Sequence, residues 1–338
     1  MIKNNKIYSL LFFMIIISTI LFSPLIINVN KGAGLTRGVQ RYGILVDQFA
    51  PNSNKPGNYF CNAIEFRNSL LQIGWSENDF HYLFGEDEIT IPNLQEKMDF
   101  LEEKVDENDV VVIFFATHGH GCLRDILNFN DWFHQEFLEI KTDYKVLLID
   151  ACHAGEFIEP LITYSVEESF YAMASVAAVE FAIGFDEEDA KDWQYSEPQF
   201  YGIISAHFWS LTLVNQLADL NDDSYISLRE MSNYSLPTIK KIYSEVFLYE
   251  PELRDFILNN TGYIDNYPNP LVVENLPEEF SLYSQYFAEN IEKLTILTKG
   301  ERIAIILGSI GGVVIIGITI SIVLVKKKGK KHSNSQDS

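Results

Sequence analysis

Two short apolar runs, Val110–Ala116 (VVVIFFA) and Val146–Ala151 (VLLIDA), constrain this chain more than any other feature in it. Both are apolar without alternation and rich in β-branched residues, the pattern of a strand whose two faces are covered by helices in a parallel sheet. Each run leads directly into a reactive side chain. The first is followed by His118 in Thr117-His118-Gly119, the second by Cys152 in Asp150-Ala151-Cys152-His153-Ala154-Gly155. In a parallel sheet, ligands gather beyond the carboxyl ends of the strands. If the two strands are neighbours, His118 and Cys152 stand there side by side as base and nucleophile.

The rest of the chain supplies the elements such a sheet needs. Arg41–Val46 reads as a first buried strand, ending at Asp47 and opening into the polar loop PNSNKPGN. Phe60–Ile73 has apolar residues at helical spacing and stops at Gly74, a residue suited to helix C-termini. His81–Phe84 reads as a short strand and Ile91–Val105 as an amphipathic helix with Leu94, Met98 and Leu101 on one side. After His118, the glycines of Gly119-His120-Gly121-Cys122 predict a tight turn. A helix over Asn130–Ile140 returns the chain to the strand before Cys152, and Ser169–Ala174 reads as a fourth strand with Ser175 at its end. Alternating strands and helices predict an α/β fold, a mainly parallel central sheet flanked by helices in three layers. Further on, His207–Leu217 and most of Leu236–Leu258 read as helical, and Asn259 to Leu282, with several prolines, as irregular capping structure.

The two ends differ from the middle. Lys3 and Lys6 precede an apolar stretch from Ile7 to Ile27, so residues 1–30 read as a signal peptide or a retained signal anchor. Ile303–Val325 is free of charge and long enough for a transmembrane helix, and five lysines follow within residues 326–331. The positive-inside rule puts the tail, 326–338, in the cytoplasm and the region between the two apolar segments outside it, with 283–302 as a stalk. Residues 31–300 carry 45 acidic against 17 basic side chains, a net of about −28, which argues against a nucleic-acid partner and suits cationic substrates, calcium or simple solubility. Asn233 and Asn259 each begin a glycosylation sequon.

Three cysteines leave at least one unpaired. Cys152 is the natural free thiol; Cys61 and Cys122 are open to either a disulfide or two buried thiols. His118, His120, Cys122 and Cys152 are zinc-ligand types but lack the paired spacing of a zinc site. Between Asp219 and Glu230, oxygen donors fall in the order of an EF-hand loop: Asp219, Asn221, Asp223, the carbonyl of Tyr225, Ser227 and Glu230. Position six of that loop normally needs glycine and here is Ser224, so the segment admits either calcium or a metal-free turn of the same residues.

A cysteine with an ordinary pKa of about 8.5 needs a base or positive potential to become a nucleophile. His118 supplies the base, a helix starting after Cys152 would favour thiolate, and the N–H groups of Gly119 and Cys152 can point at the oxygen of an attacked carbonyl. No cofactor is required for that chemistry.

The strings FFATHGHG and VLLIDACHAG resemble the His-Gly and Asp-x-Cys-x-x-Gly motifs of caspase-like cysteine peptidases, most closely metacaspases and their prokaryotic relatives. The resemblance spans roughly residues 40–282 and takes in the helix FCNAIEFRNSLLQIGW, the Asp-rich ADLNDDSYISLREMSNY and the late PNPLVVEN. It implies a caspase-like fold, peptide bonds as substrate, and His118 and Cys152 as the catalytic pair. Caspases proper carry Gln where Asp150 stands and space the pair more widely, so cleavage after Asp is not implied. In metacaspases the acidic residue at that position lines a pocket for Arg or Lys, which implies a basic preference through Asp150; the bare sequence equally allows Asp150 to cap a turn. Ser175 and Glu180 resemble residues edging the same pocket. His120 and His153 read as hydrogen-bonded turn residues. The single C-terminal span also resembles that of the glycosylphosphatidylinositol transamidase subunit, where the same acyl-enzyme passes to an amine. An inactive peptidase fold serving as a calcium-responsive surface scaffold is the non-enzymatic alternative.

Overall fold

The computed structural model describes residues 38–50, 62–186, 193–260 and 267–286, which belong, apart from Gly38, to one compact unit. The signal segment 1–30, the span 303–325, the tail, Cys61 and most of the loop after Asp47 lie outside the described residues. Among the described residues, no helix is long and apolar enough to cross a membrane.

The all-apolar runs become the centre of the sheet. β1 (Arg41–Asp47), β3 (Val110–Ala116) and β4 (Tyr144–Asp150) are seven residues each, and every residue of β3 and β4 is buried. With β2 (Phe80–Phe84), β5 (Tyr171–Ala174) and β8 (Leu271–Glu274) they form a six-stranded sheet in the order β2-β1-β3-β4-β5-β8. The first five strands are mutually parallel; β8 closes the edge antiparallel to β5. The expected α/β architecture, a mostly parallel sheet flanked by helices, is therefore present. Its antiparallel edge is a correction, since that stretch reads from sequence as irregular: Leu271–Glu274 is only four residues between proline-bearing loops.

Alternate residues of each strand serve two cores. One face packs α1 (Asn62–Gln72), α5 (Ile204–Thr212) and α6 (Leu228–Tyr249) through Phe66, Phe114, Leu148, Trp209 and Tyr243. The other packs α2 (Ile91–Lys104), α3 (Phe129–Glu139) and the short α4 (Ala154–Ile158) through Leu94, Leu101, Phe115, Phe133 and Phe157. Because both faces are covered, β3 and β4 can be apolar throughout.

Local chemistry sets the ends of the elements. Gly74 follows α1 at φ +97, a left-handed conformation glycine adopts without cost, as expected. α6 begins at Leu228, eight residues before the expected helix, because Ser227 and Glu230 form a capping box. It ends at Tyr249 with Glu250 as its C-cap, and Pro251 opens a separate helix, α7 (Pro251–Asn260). The predicted tight turn after His118 is instead one π-helical turn, Gly119–Arg124, with Leu123 N–H bonded to His118 O at 3.3 Å. Lys145 is buried and donates to the carbonyls of Leu138 (2.6 Å) and Ile140 (2.9 Å), closing the C-terminal end of α3; burial lowers its pKa to about 8. Tyr283–Tyr286 remain part of the folded unit: Tyr283 hydroxyl donates to Leu213 O at 2.8 Å, and Tyr286 is buried against Tyr225. The described part of the expected 283–302 stalk is therefore packed on the fold, and residues 287–302 lie outside the described residues.

The Phe66–Phe114 stack, with centroids 4.7 Å apart, joins α1 to the central strand. Phe114→Ala is expected to lower unfolding free energy by about 3–5 kcal/mol, read from the denaturant midpoint in urea.

Candidate active site

Strand register brings the two motifs together. Ala116 of β3 is level with Asp150 of β4, so His118 and Cys152 leave adjacent strands at the same height. Thr117 N–H continues the ladder to Asp150 O at 3.2 Å. Beyond that point Gly119 lies against the backbone of Cys152: a Cβ at Gly119 would sit 1.8 Å from Cys152 O. The glycine of the His-Gly motif is thus required by a backbone contact. Gly155 plays the same part on the other side, where a Cβ would meet Ala178 N at 2.5 Å while Gly155 N–H bonds Val176 O at 2.9 Å.

His118 is held from β1. Its N–H donates to Gln48 Oε1 (2.9 Å), Gln48 Nε2 donates to Glu86 (3.3 Å), and Phe49 packs edge-on to the imidazole with centroids 4.9 Å apart. The exposed His118 and partly buried Cys152 share an open cleft of about 170 Å³ with Phe49, Thr117, Ala182, Gly184 and Ile203. Gly184 and Ile203 belong to a small hairpin, β6 (Gly184–Phe185) and β7 (Gly202–Ile203). Cys152 Sγ donates to Ala182 O at 3.7 Å, and among the described residues it makes no hydrogen bond to His118. Burial first, then the neighbouring Asp150 charge, pushes the thiol up to about 11. The expected help from a following helix is slight, because α4 has five residues and burial outweighs it. The N–H groups of Gly119 and Cys152 make no backbone–backbone hydrogen bond among the described residues; Gly119 is buried, and the Cys152 N–H faces its own sulfur.

Asp150 is fully buried on the same face as Ala116. Its Oδ2 accepts the Ala206 N–H at 2.6 Å, which caps the start of α5, while Oδ1 has no hydrogen-bond partner. Burial raises its pKa to about 7. Ser175 follows β5 beside this carboxyl, and its hydroxyl is buried and without a well-directed bond, as are those of Thr117 and Ser205. Glu180 lies elsewhere: it accepts from Ala177 N–H (2.9 Å), Asn269 N–H (2.8 Å) and Asn269 Nδ2 (2.7 Å), and so fastens the loop before β8 instead of lining the cleft. Across the sheet Asp47 is level with Ala116 too; it accepts the N–H groups of Phe49, Ala50 and Ala63, and burial raises it to about 6.

His120 and His153 are hydrogen-bonded turn residues. His153 adopts φ +59, its Nδ1 meets Ala178 O at 3.0 Å, and its ring stacks on His120, whose Nε2 meets Glu156 at 3.0 Å. Cys122 is a buried free thiol in the opposite core, so the four zinc-type side chains do not converge. In the 219–230 loop, Asp219 accepts N–H groups from Asp223 (3.1 Å) and Ser224 (2.8 Å), and Asp223 accepts from Tyr225 (2.8 Å). Asn221 accepts from Asp223 as well, at 2.9 Å. Ser224 takes φ +74, the conformation for which this position normally uses glycine. Both oxygens of Glu230, which would close a calcium shell, are taken by Leu220 N–H and by Ser227. Among the described residues no group of three or more His, Cys, Asp or Glu side chains gathers as a metal site. Gln48, Phe49, Ala182, Ile203 and Ser205 have no sequence signature; strand register and the α5 turn bring them to the site.

Gly119→Ala should destabilise the fold by about 1–3 kcal/mol, measured by urea unfolding, because the clash is with backbone that cannot rotate away. The two raised carboxyls predict a pH dependence. Both hold their protons in the fold to higher pH than in the unfolded chain, so their stabilising contribution is complete below the ordinary carboxylate range and is lost as pH rises through about 6 for Asp47 and about 7 for Asp150. The thermal midpoint should therefore fall between about pH 5 and about pH 8, and Asp150→Asn, which keeps an oxygen for Ala206, should flatten that fall. No family model matches this chain, and no curated protein matches it in sequence.

Proposed function

We propose that this chain is a cysteine endopeptidase of caspase-like fold, tethered by the 303–325 segment with its catalytic region on the extracytoplasmic side, and cutting peptide bonds after a basic residue. The observation that carries the reading is the meeting, in one cleft, of an imidazole and a thiol at the ends of adjacent parallel strands.

Turning Sγ away from Ala182 toward the imidazole lets His118 take the thiol proton. The thiolate then attacks the scissile carbonyl carbon, forming a C–S bond while the oxyanion is received by the Gly119 and Cys152 N–H groups. His118 returns the proton to the leaving nitrogen as the C–N bond breaks. Water, deprotonated by His118, then breaks the thioester and restores the thiol. The buried, unpartnered Asp150 Oδ1 favours a cationic side chain next to the cleaved bond. The side chains suffice for these steps without a metal.

The purified full-length chain, incubated with Lys- and Arg-containing peptides, should release products with free carboxyl termini. Cys152→Ala and His118→Ala should each lower kcat/KM by on the order of 10³-fold. Equal product from wild type and Cys152→Ala would end the proposal, and product coupled to an added amine in preference to hydrolysis would turn it toward a transamidase.

A further inference from the structure

His153, the residue after the nucleophile, holds a backbone conformation that its contacts must maintain. It sits at φ +59 and ψ 24, in the left-handed region. Residues with a Cβ are strained there, and asparagine enters it more readily than most. Such a conformation persists only where surrounding contacts over-determine it. Three of those contacts lead to one short stretch of chain beyond β5. The His153 N–H donates to Glu180 O at 2.7 Å, its Nδ1 meets Ala178 O at 3.0 Å, and its ring meets Phe181 edge-on with centroids 4.9 Å apart. The acceptor at Ala178 is a carbonyl, so Nδ1 carries the proton whether the ring is neutral or charged. On its other face the ring lies flat on His120, with centroids 4.3 Å apart.

The stretch that His153 holds ends on the sulfur. Ala182, next to Phe181, accepts the Cys152 thiol at 3.7 Å and lines the cleft beside it. Residues 177–182 belong to neither helix nor strand, so no ladder sets their place. The Glu180 carboxylate fastens them to Asn269, and the Ile183 N–H, just beyond them, donates to the Tyr243 hydroxyl at 3.0 Å. His153 supplies the tie to the nucleophile's own turn. It does not line the cleft itself, and therefore reaches the reaction only through Cys152 and the segment over it.

We infer that His153 is a positioning residue for the nucleophile: by holding Ala178, Glu180 and Phe181 it fixes the turn that carries Cys152 and sets the Ala182 carbonyl beside the thiol. The inference rests on the peptidase reading for the part that sulfur plays in a reaction. Releasing this tie has two effects of opposite sign. The thiol loses cover and a hydrogen-bond acceptor, so a small reagent reaches it faster. The sulfur also loses its fixed place in the cleft, and a small misplacement of a reacting atom slows attack on a bound substrate.

Two substitutions isolate the tie. His153→Phe keeps a ring between His120 and Phe181 but has no donor for Ala178. His153→Asn suits the left-handed backbone, and its Nδ2 occupies the same covalent place as the histidine Nδ1, so it can donate to the same carbonyl. In the full-length chain, alkylation of each cysteine by iodoacetamide is followed by mass spectrometry, with Cys122, a free thiol buried in the opposite core, reporting any general loss of the fold. His153→Phe should raise the Cys152 alkylation rate about 5-fold or more and leave Cys122 as protected as in the wild type. It should lower kcat on the order of 10-fold with KM little changed, while His153→Asn stays close to the wild type in every readout. An unchanged Cys152 rate or an unchanged kcat in His153→Phe overturns the inference and leaves the peptidase standing. Cys122 reacting faster in step with Cys152, or His153→Asn behaving like His153→Phe, overturns it as well. If the wild type cleaves no peptide but the alkylation pattern is as expected, the peptidase reading fails and the hold of His153 on the sulfur survives.

Discussion

The site depends on one backbone contact, that of Gly119 against the carbonyl of Cys152. Register between β3 and β4 sets the height of the two strand ends. It does not by itself hold the segments beyond them together. That step needs the π-helical turn after His118 to pack directly on the turn after Asp150, with a hydrogen atom where any other residue has a Cβ. The relative positions of His118 and Cys152 thus follow from strand register and a single close approach. Gly155 performs the complementary service by admitting the Ala177–Ala178 backbone, so the loop bearing Ala182 lies over the sulfur.

Beneath this arrangement two buried carboxylates flank Ala116 at the ends of β1 and β4. Each receives N–H groups at the start of a helix, Asp47 at α1 and Asp150 at α5, where the helix dipole favours negative charge. Both nevertheless titrate well above the ordinary range, which shows that desolvation exceeds the stabilisation by helix ends and hydrogen bonds. Asn62 joins the two helices: its Oδ1 accepts the Ile203 N–H at 2.7 Å, and Gly202, at φ +136, has no Cβ to strike that oxygen. α1, β7 and α5 are therefore fastened together around polar groups placed directly below the cleft.

The strands and the placement of His118 beside Cys152 were legible because one physical cause writes both into the sequence. A strand covered on both faces is apolar at every position, so where it stops is visible, and the residues just past the stop are the ones a parallel sheet exposes. The buried polar groups near the site were legible only in part. Asp150 and Ser175 stand at strand ends and share that signal, whereas Ser205 sits in an apolar helix start where nothing marks it. Glu180 follows Ser175 closely enough to suggest the same pocket, yet its carboxylate turns toward Asn269, on the approach to a strand too short to be read. The oxygen-donor order from Asp219 to Glu230 reflects two demands that sequence cannot separate. Asx-type turns and a capping box use the same residues, at the same spacing, as a cation loop.

Burial at the strand ends also acts on Cys152, whose thiol is pushed up to about 11 and donates to the Ala182 carbonyl. An imidazole on the open side of the cleft can withdraw that proton only when the sulfur turns, and a cation seated at Asp150 would favour the turn in two ways. It neutralises the nearby carboxylate charge that disfavours thiolate, and the substrate backbone it brings displaces water between sulfur and imidazole. On the proposed reading, substrate with a basic side chain therefore helps ionise the thiol that attacks it, so recognition and activation are coupled through Asp150.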